Sequence, residues 1–222
     1  MCGRFTIIDP IDSIMERYMA SDTKGFNYRP NYNAAPMQFI PSIIATSNGN
    51  RLGSLRWGLV PSWAKDDKIG SKMINARAET LNEKPAFRRL VSTKRCIIPC
   101  SGFYEWKKGD SGKQPMRILM RDGSIFSLAG LYDTWLDPDG KKLSTCTIIT
   151  TEPNSLMAEI HNRMPAIIRP QDESEWLNRE TDNKSVTSLL RPFSASEMRA
   201  YKVDSSVGNV RNNNIDLIQE VS

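Results

Sequence analysis

The chain has 222 residues, 39% hydrophobic and 25% charged, with no long biased tract, which is a globular composition and excludes a largely disordered one. No apolar run approaches the roughly 18 residues a membrane span needs. The opening Met1-Cys2-Gly3-Arg4-Phe5 lacks the basic and long apolar regions of a secretory leader, so a cytoplasmic protein with no membrane partner is expected. The net charge is +5, and residues 51–95 hold eleven Lys or Arg against four Asp or Glu. That surplus suits phosphate binding, and it equally suits a solvated basic face.

Asp9-Pro10 followed by Ile11, Ile14, Met15, Tyr18 and Met19 predicts a short amphipathic helix, with Asp9 as cap and Pro10 in the first turn. Apolar segments at 39–45, 52–60, 96–106, 116–120, 125–131 and 143–150 then read as strands. Asp122-Gly123 and Asp139-Gly140 are two-residue hairpin signals, and Gly109-Asp110-Ser111-Gly112 is a looser one. Helical signals return late: Asn154 can cap 155–161, and 170–177 and 184–190 are further short candidates. Strands and helices do not alternate regularly, which argues against a doubly wound parallel sheet. One α+β domain over residues 1–222, rich in antiparallel sheet, is expected.

Cys2, Cys96, Cys100 and Cys146 are too few and too scattered for a disulfide framework. Cys96 and Cys100 stand close, but zinc needs two more ligands and His161 is the only histidine. Neither a metal nor a cofactor is expected.

Cys2 carries the sharpest chemistry. Loss of Met1 leaves it as a terminal 1,2-aminothiol whose amine, with a reference pKa of roughly 7.7–8.0, can form a Schiff base with an aldehyde. The thiol can then close a five-membered thiazolidine. The plain alternative is a small residue at position 2. His161 can transfer protons near neutrality, and it stands where a helix ends before a proline-led strand. Glu105 lies between Tyr104 and Trp106, either as an acid raised by desolvation or as a residue on the wet face of a strand. Asn75 and Arg77 can supply an amide and a phosphate contact.

Taken together, Cys2-Gly3-Arg4-Phe5, Tyr32 to Pro36, Arg56 to Trp63, Ile74 to Thr80, Arg95 to Trp106, His161 to Pro165 and Val207 to Asn213 resemble the SOS-response-associated peptidase family of abasic-site processing proteins. The resemblance implies a mainly antiparallel sheet in a barrel-like core with flanking short helices. It implies that Cys2 captures the ring-opened deoxyribose of abasic single-stranded DNA as a thiazolidine. Asn75 then matches a positioning residue, Glu105 the acid that stabilises the sugar, and His161 the group that assists ring opening. Arg4 and Arg77 look like phosphate contacts, and Pro36, Trp63 and Trp106 like surfaces that support or wedge bases. Autopeptidase and abasic-site lyase activities are associated with the same family. Cys100, Ser101, Asn162 and Ala64 depart from its common pattern. Two other readings stay open: a Cys–His thiol peptidase with His161 as base, and a noncovalent single-strand binder.

Overall fold

The computed structural model describes residues 2–21, 27–109 and 112–222. From the N-terminus, β1 (Phe5–Ile7) is followed by α1 (Ile11–Arg17), β2 (Ala20–Ser21), β3 (Asn31–Ala34), β4 (Phe39–Thr46) and β5 (Gly49–Trp57). Next come β6 (Asn75–Arg77), α2 (Pro85–Thr93), β7 (Arg95–Cys100), β8 (Gly102–Gly109) and β9 (Gly112–Met120). The long strands β10 (Phe126–Leu136) and β11 (Lys142–Thr151) form a hairpin. After them lie α3 (Ser155–Ala158), β12 (Met164–Pro165), β13 (Ile167–Ile168), α4 (Glu173–Leu177), α5 (Asn183–Ser188) and β14 (Met198–Lys202).

Five strands close on themselves. β5 pairs with β4, β4 with β7, β7 with β10, β10 with β11, and β11 returns to β5. An odd ring cannot alternate direction all the way round, so one pair must be parallel. It is β11 with β5, at Thr145↔Arg56 and Cys146↔Trp57. Inside the ring, a Cβ on Gly130 would lie 2.4 Å from Ile98 and 2.8 Å from the Cys96 sulfur, so only glycine fits there. The second sheet runs β14-β9-β8-β1-β3 and packs on the ring through aromatic edges. Phe5 meets Trp57 at 5.3 Å between centroids, and Phe103 meets Phe126 at 6.5 Å. Truncating such buried rings typically costs about 3–5 kcal/mol each. The antiparallel-rich α+β architecture with a barrel and short helices is thus what the structure contains.

Several local expectations are corrected. Asp9 does not cap α1: its carboxylate accepts the Ser101 hydroxyl at 2.5 Å, and Pro10 itself is the capping residue. The helix stops at Arg17, and Met19 turns out to solvent with φ 46°. Asp122-Gly123 makes a turn, with Asp122 accepting from the Ser124 N–H and hydroxyl, but no hairpin. The chain there crosses from β9 in one sheet to β10 in the other. Asp139-Gly140 does sit in a hairpin, in the five-residue loop 137–141. Gly109 pairs with Gly112 across the β8–β9 hairpin, while Asp110 and Ser111 lie outside the described residues. The apolar segment 96–106 is two strands, β7 and β8, that belong to different sheets. The segment 52–60 leaves its strand after Trp57.

Candidate active site

β1 lies between β8 and β3, with Phe5 opposite both Phe103 and Ala34. The pairing continues toward the N-terminus, since the Tyr104 N–H donates to the Arg4 carbonyl at 3.0 Å. Residues 2–4 therefore run on beside β8, next to Glu105 and Trp106. Cys2 is fully buried within the main core, and Met1 lies outside the described residues. Burial pushes the Cys2 thiol well above its usual range, and the carboxylate of Glu105 and then Cys100 push it further.

Strand alternation sends Phe103 and Glu105 to one face of β8 and Tyr104 and Trp106 to the other. Tyr104 joins Val203, Val207 and Leu217 in a small second core, and half-buried Trp106 packs against it. Glu105 is only 4% exposed, so it is not on a wet face. Burial raises its carboxyl to about 7. A group at that value both gives and takes protons at neutral pH.

Asn75 opens β6, which pairs in parallel with β11 at Ile148↔Asn75. Its Nδ2 donates to the Ile148 carbonyl at 3.4 Å, and its carbonyl oxygen is buried with no partner among the described residues. Trp57 links this strand to β1: its indole donates to the Ile74 carbonyl at 2.9 Å while its ring meets Phe5. The path from Trp57 to β6 depends on two glycines. A Cβ on Gly58, at φ 131°, would lie 2.7 Å from the Gly70 carbonyl oxygen, so the two backbones touch. Beside Asn75, Lys72, Arg77 and Lys84 surround a cleft of about 410 Å³ whose wall includes Met73 and Phe87.

His161 follows α3, whose first turn is capped by Asn154 accepting from the Met157 N–H at 2.9 Å. Its Nδ1 accepts the Arg163 N–H at 3.1 Å; a backbone N–H can only donate, so the neutral ring carries its proton on Nε2. The Arg163 carbonyl, 3.3 Å from the same nitrogen, is there for the protonated ring. Burial lowers the His161 pKa, which favours the neutral form, and Lys108 of β8 contributes in the same direction. Arg163 is clamped in turn by Glu79 at 2.7 and 2.9 Å and by the Thr150 carbonyl at 2.7 Å.

Cys2 thus lies within the electrostatic reach of Glu105, His161 is held by the Arg163 backbone, and Asn75 is tied to β1 through Trp57. Arg4 is half-buried, donates to the Gly208 carbonyl at 3.3 Å and has its pKa lowered by burial. Arg77 is exposed, Pro36 half-buried, and Trp63 is 63% exposed on a separate loop. The residues missed in sequence act at long range. Asn33 donates from its amide to the carbonyls of Val207, Asn209 and Asn212, which binds two of the quoted motifs to each other. The Glu79–Arg163 clamp and Asp133, which holds the Trp63 loop, carry no local signal. The basic stretch 51–95 is not one face: Lys72, Arg77 and Lys84 line the cleft by Asn75, while Arg51 lines a different one.

Residues 1–210 match the sequence model of the SOS response associated peptidase (SRAP) family. The chain is 52% identical to the abasic site processing protein YoqW of Bacillus subtilis, over 99% of each chain. It is 34% identical to the abasic site processing protein HMCES of Gallus gallus, over 83% of this chain and 64% of that one. A crystal structure of a protein from Bacteroides thetaiotaomicron, 31% identical, superposes over all of both chains with a TM-score of 0.90.

Proposed function

This chain belongs to the SOS response associated peptidase family, whose relatives are named for processing abasic sites, and we propose that it captures abasic sites in single-stranded DNA through Cys2. The observation that carries the reading is a fully buried Cys2 within electrostatic reach of Glu105, whose carboxyl burial raises to about 7. Removal of Met1 frees the Cys2 amine. The amine attacks the aldehyde carbon of the opened sugar and forms a C–N bond. The resulting carbinolamine loses water, with Glu105 supplying the proton to the departing hydroxyl, and an imine remains. The Cys2 sulfur then adds to the imine carbon, and the thiol proton ends on nitrogen. The product is a thiazolidine, with one water released overall.

A closed hemiacetal must open first. The protonated ring of His161, with Nδ1–H toward the Arg163 carbonyl, suits protonation of the ring oxygen from Nε2 while a carboxylate takes the hydroxyl proton. Asn75 offers an amide donor and an open acceptor to hold the sugar. Arg4 and the cations beside Asn75 suit the flanking phosphates, and Trp63 and Pro36 suit base stacking.

Intact mass spectrometry of the purified protein, before and after incubation with abasic single-stranded DNA, tests the proposal. The expected species lacks Met1 and gains the DNA mass less one water. A protein carrying an uncleaved N-terminal extension that forms the same adduct overturns it.

A further inference from the structure

The five-stranded ring is open at the end away from Asn75. The Ser42 hydroxyl on β4 lies close enough to the Cys146 thiol on β11 to influence it, and these strands are not neighbours in the ring, so the two side chains meet across the lumen. Residues on the same faces nearer the strand ends therefore look into the mouth. There the structure holds a cleft of about 390 Å³, lined by the hydroxyls of Tyr132, Thr134 and Ser144 and by the guanidinium groups of Arg51 and Arg179. No carboxylate lines it among the described residues. From Ser144 to Thr150, the partner of Arg77, β11 rises about 20 Å at roughly 3.3 Å per residue, which separates this mouth from the candidate active site.

The positive charge at the mouth is both fixed and uncompensated. Arg179 donates to the Ala45 carbonyl at 2.9 Å and to the Tyr132 hydroxyl at 3.3 Å, which holds its guanidinium over the opening. Next to it Arg95 is buried, and it donates to the carbonyls of Val91 and Trp176, each at 2.6 Å, and of Asn178, the residue before Arg179. Among the described residues none of Arg51, Arg95 and Arg179 forms an ion pair. Arg95 lies behind Arg179 rather than in the cleft wall, and its carbonyl partners and the Trp176 ring, 6.0 Å away, carry no net charge, so an oxyanion beside Arg179 offsets the excess. Thr134 and Ser144 bond each other at 3.1 Å and keep further hydrogen-bonding capacity.

We propose that the barrel mouth binds a small phosphate monoester, its dianion held by Arg51 and Arg179 and its hydroxyl-bearing body by Thr134 and Ser144. Guanidinium forks match phosphate geometry, and one that is already immobilised loses little freedom on binding. The volume falls within the range of small-molecule sites.

Titration calorimetry on the full chain, with ribose 5-phosphate, inorganic phosphate, ribose and an undamaged oligothymidylate at constant ionic strength, tests this. The expected result is saturable binding of ribose 5-phosphate and none of ribose. Arg179→Gln and Arg51→Gln should each weaken that binding at least tenfold while leaving the melting temperature and abasic-DNA crosslinking unchanged. No saturation by ribose 5-phosphate, or an affinity that both variants leave intact, overturns the site. Displacement of ribose 5-phosphate by the undamaged oligonucleotide overturns the small-ligand assignment and gives the cleft to the DNA backbone. Ribose and ribose 5-phosphate are aldoses that Cys2 can also capture, so the titration is repeated with glycerol phosphate, which has no aldehyde; it should bind with the same dependence on Arg51 and Arg179, and its failure to bind overturns the site.

Discussion

The backbone N–H of Ser62 donates to the buried carboxylate of Asp133 at 2.8 Å, so a barrel strand holds the loop that presents Trp63. Lys94 pairs with the other carboxylate oxygen at 2.6 Å. Two residues beyond Asp133 on β10, the Trp135 indole donates to the Ala64 carbonyl at 2.7 Å, and the Val60 N–H donates to the Thr145 hydroxyl at 2.8 Å. Trp63 is therefore flanked by anchored backbone on both sides while its own ring is free for a base.

Asp133→Ala should cost about 2–4 kcal/mol in denaturant unfolding, because it strands a buried N–H and an ammonium. Trp63→Ala should leave stability within about 0.5 kcal/mol but weaken single-strand binding by about 1–3 kcal/mol. Burial pushes the Asp133 carboxyl up, yet Lys94 and the Ser62 and Thr134 N–H groups hold it below its ordinary value. Its contribution is then fully present above that ordinary value and fades as pH falls through the lowered one. A Trp63→Ala variant that unfolds as readily as Asp133→Ala contradicts this division of labour.

Local signals survived into the structure where the physics is local. Asn154 caps α3 as its spacing suggests, and the apolar segments become strands because pleated alternation needs only neighbouring residues. Asp122-Gly123 misled because a turn signal says that the chain bends, not which sheet the next strand joins. Asp9 left its helix for Ser101, 92 positions away, which no window of sequence contains. The candidate site divides the same way. Cys2, Asn75, Glu105 and His161 stand in recognisable motifs, but the burial that sets Glu105 near 7 was not legible. Both faces of Gly102-Phe103-Tyr104-Glu105-Trp106 carry aromatics, so alternation alone could not say which face is dry.

The cations by Asn75 give a salt test. If Lys72, Arg77 and Lys84 follow phosphates, single-strand affinity should fall with salt at a log–log slope of about −0.7 per phosphate neutralised. Arg77→Ala should lower the slope and weaken binding with little regard to base sequence. A slope unchanged in Arg77→Ala removes that residue from the DNA path.

Glu105 makes stability depend on pH. Its folded pKa is raised, so the folded protein holds a proton that the unfolded chain has already released between about 4.3 and about 7. The stabilisation is complete below the unfolded value and is lost as pH rises through the folded one. Glu105→Gln should therefore flatten the pH dependence across this window and be more stable than the parent at pH 8, by about 3–4 kcal/mol. Chemical denaturation at pH 5 and pH 8 measures both. Parallel pH profiles for the two proteins contradict the buried-acid assignment.

Separating ring opening from capture exposes His161 most directly. Abasic deoxyribose is mostly a closed hemiacetal, and a proton-transfer group of this kind typically contributes roughly 10²–10⁴-fold to rate. His161→Ala should therefore bind DNA normally but crosslink abasic DNA slowly, while it reacts almost as the parent does with a small, already open aldehyde. Because burial lowers the His161 pKa, the protonated ring that donates is already scarce at the ordinary histidine value, and the assisted rate should fall as pH rises toward and past about 6.5. Cys2→Ser should separate in another way: its amine still forms an imine that borohydride traps, but no stable thiazolidine. Time courses with abasic DNA and with the free aldehyde, for each variant, measure all of these. If His161→Ala slows both substrates equally, the residue acts by supporting the Cys2 pocket through Arg163 and Glu79, and the ring-opening role fails.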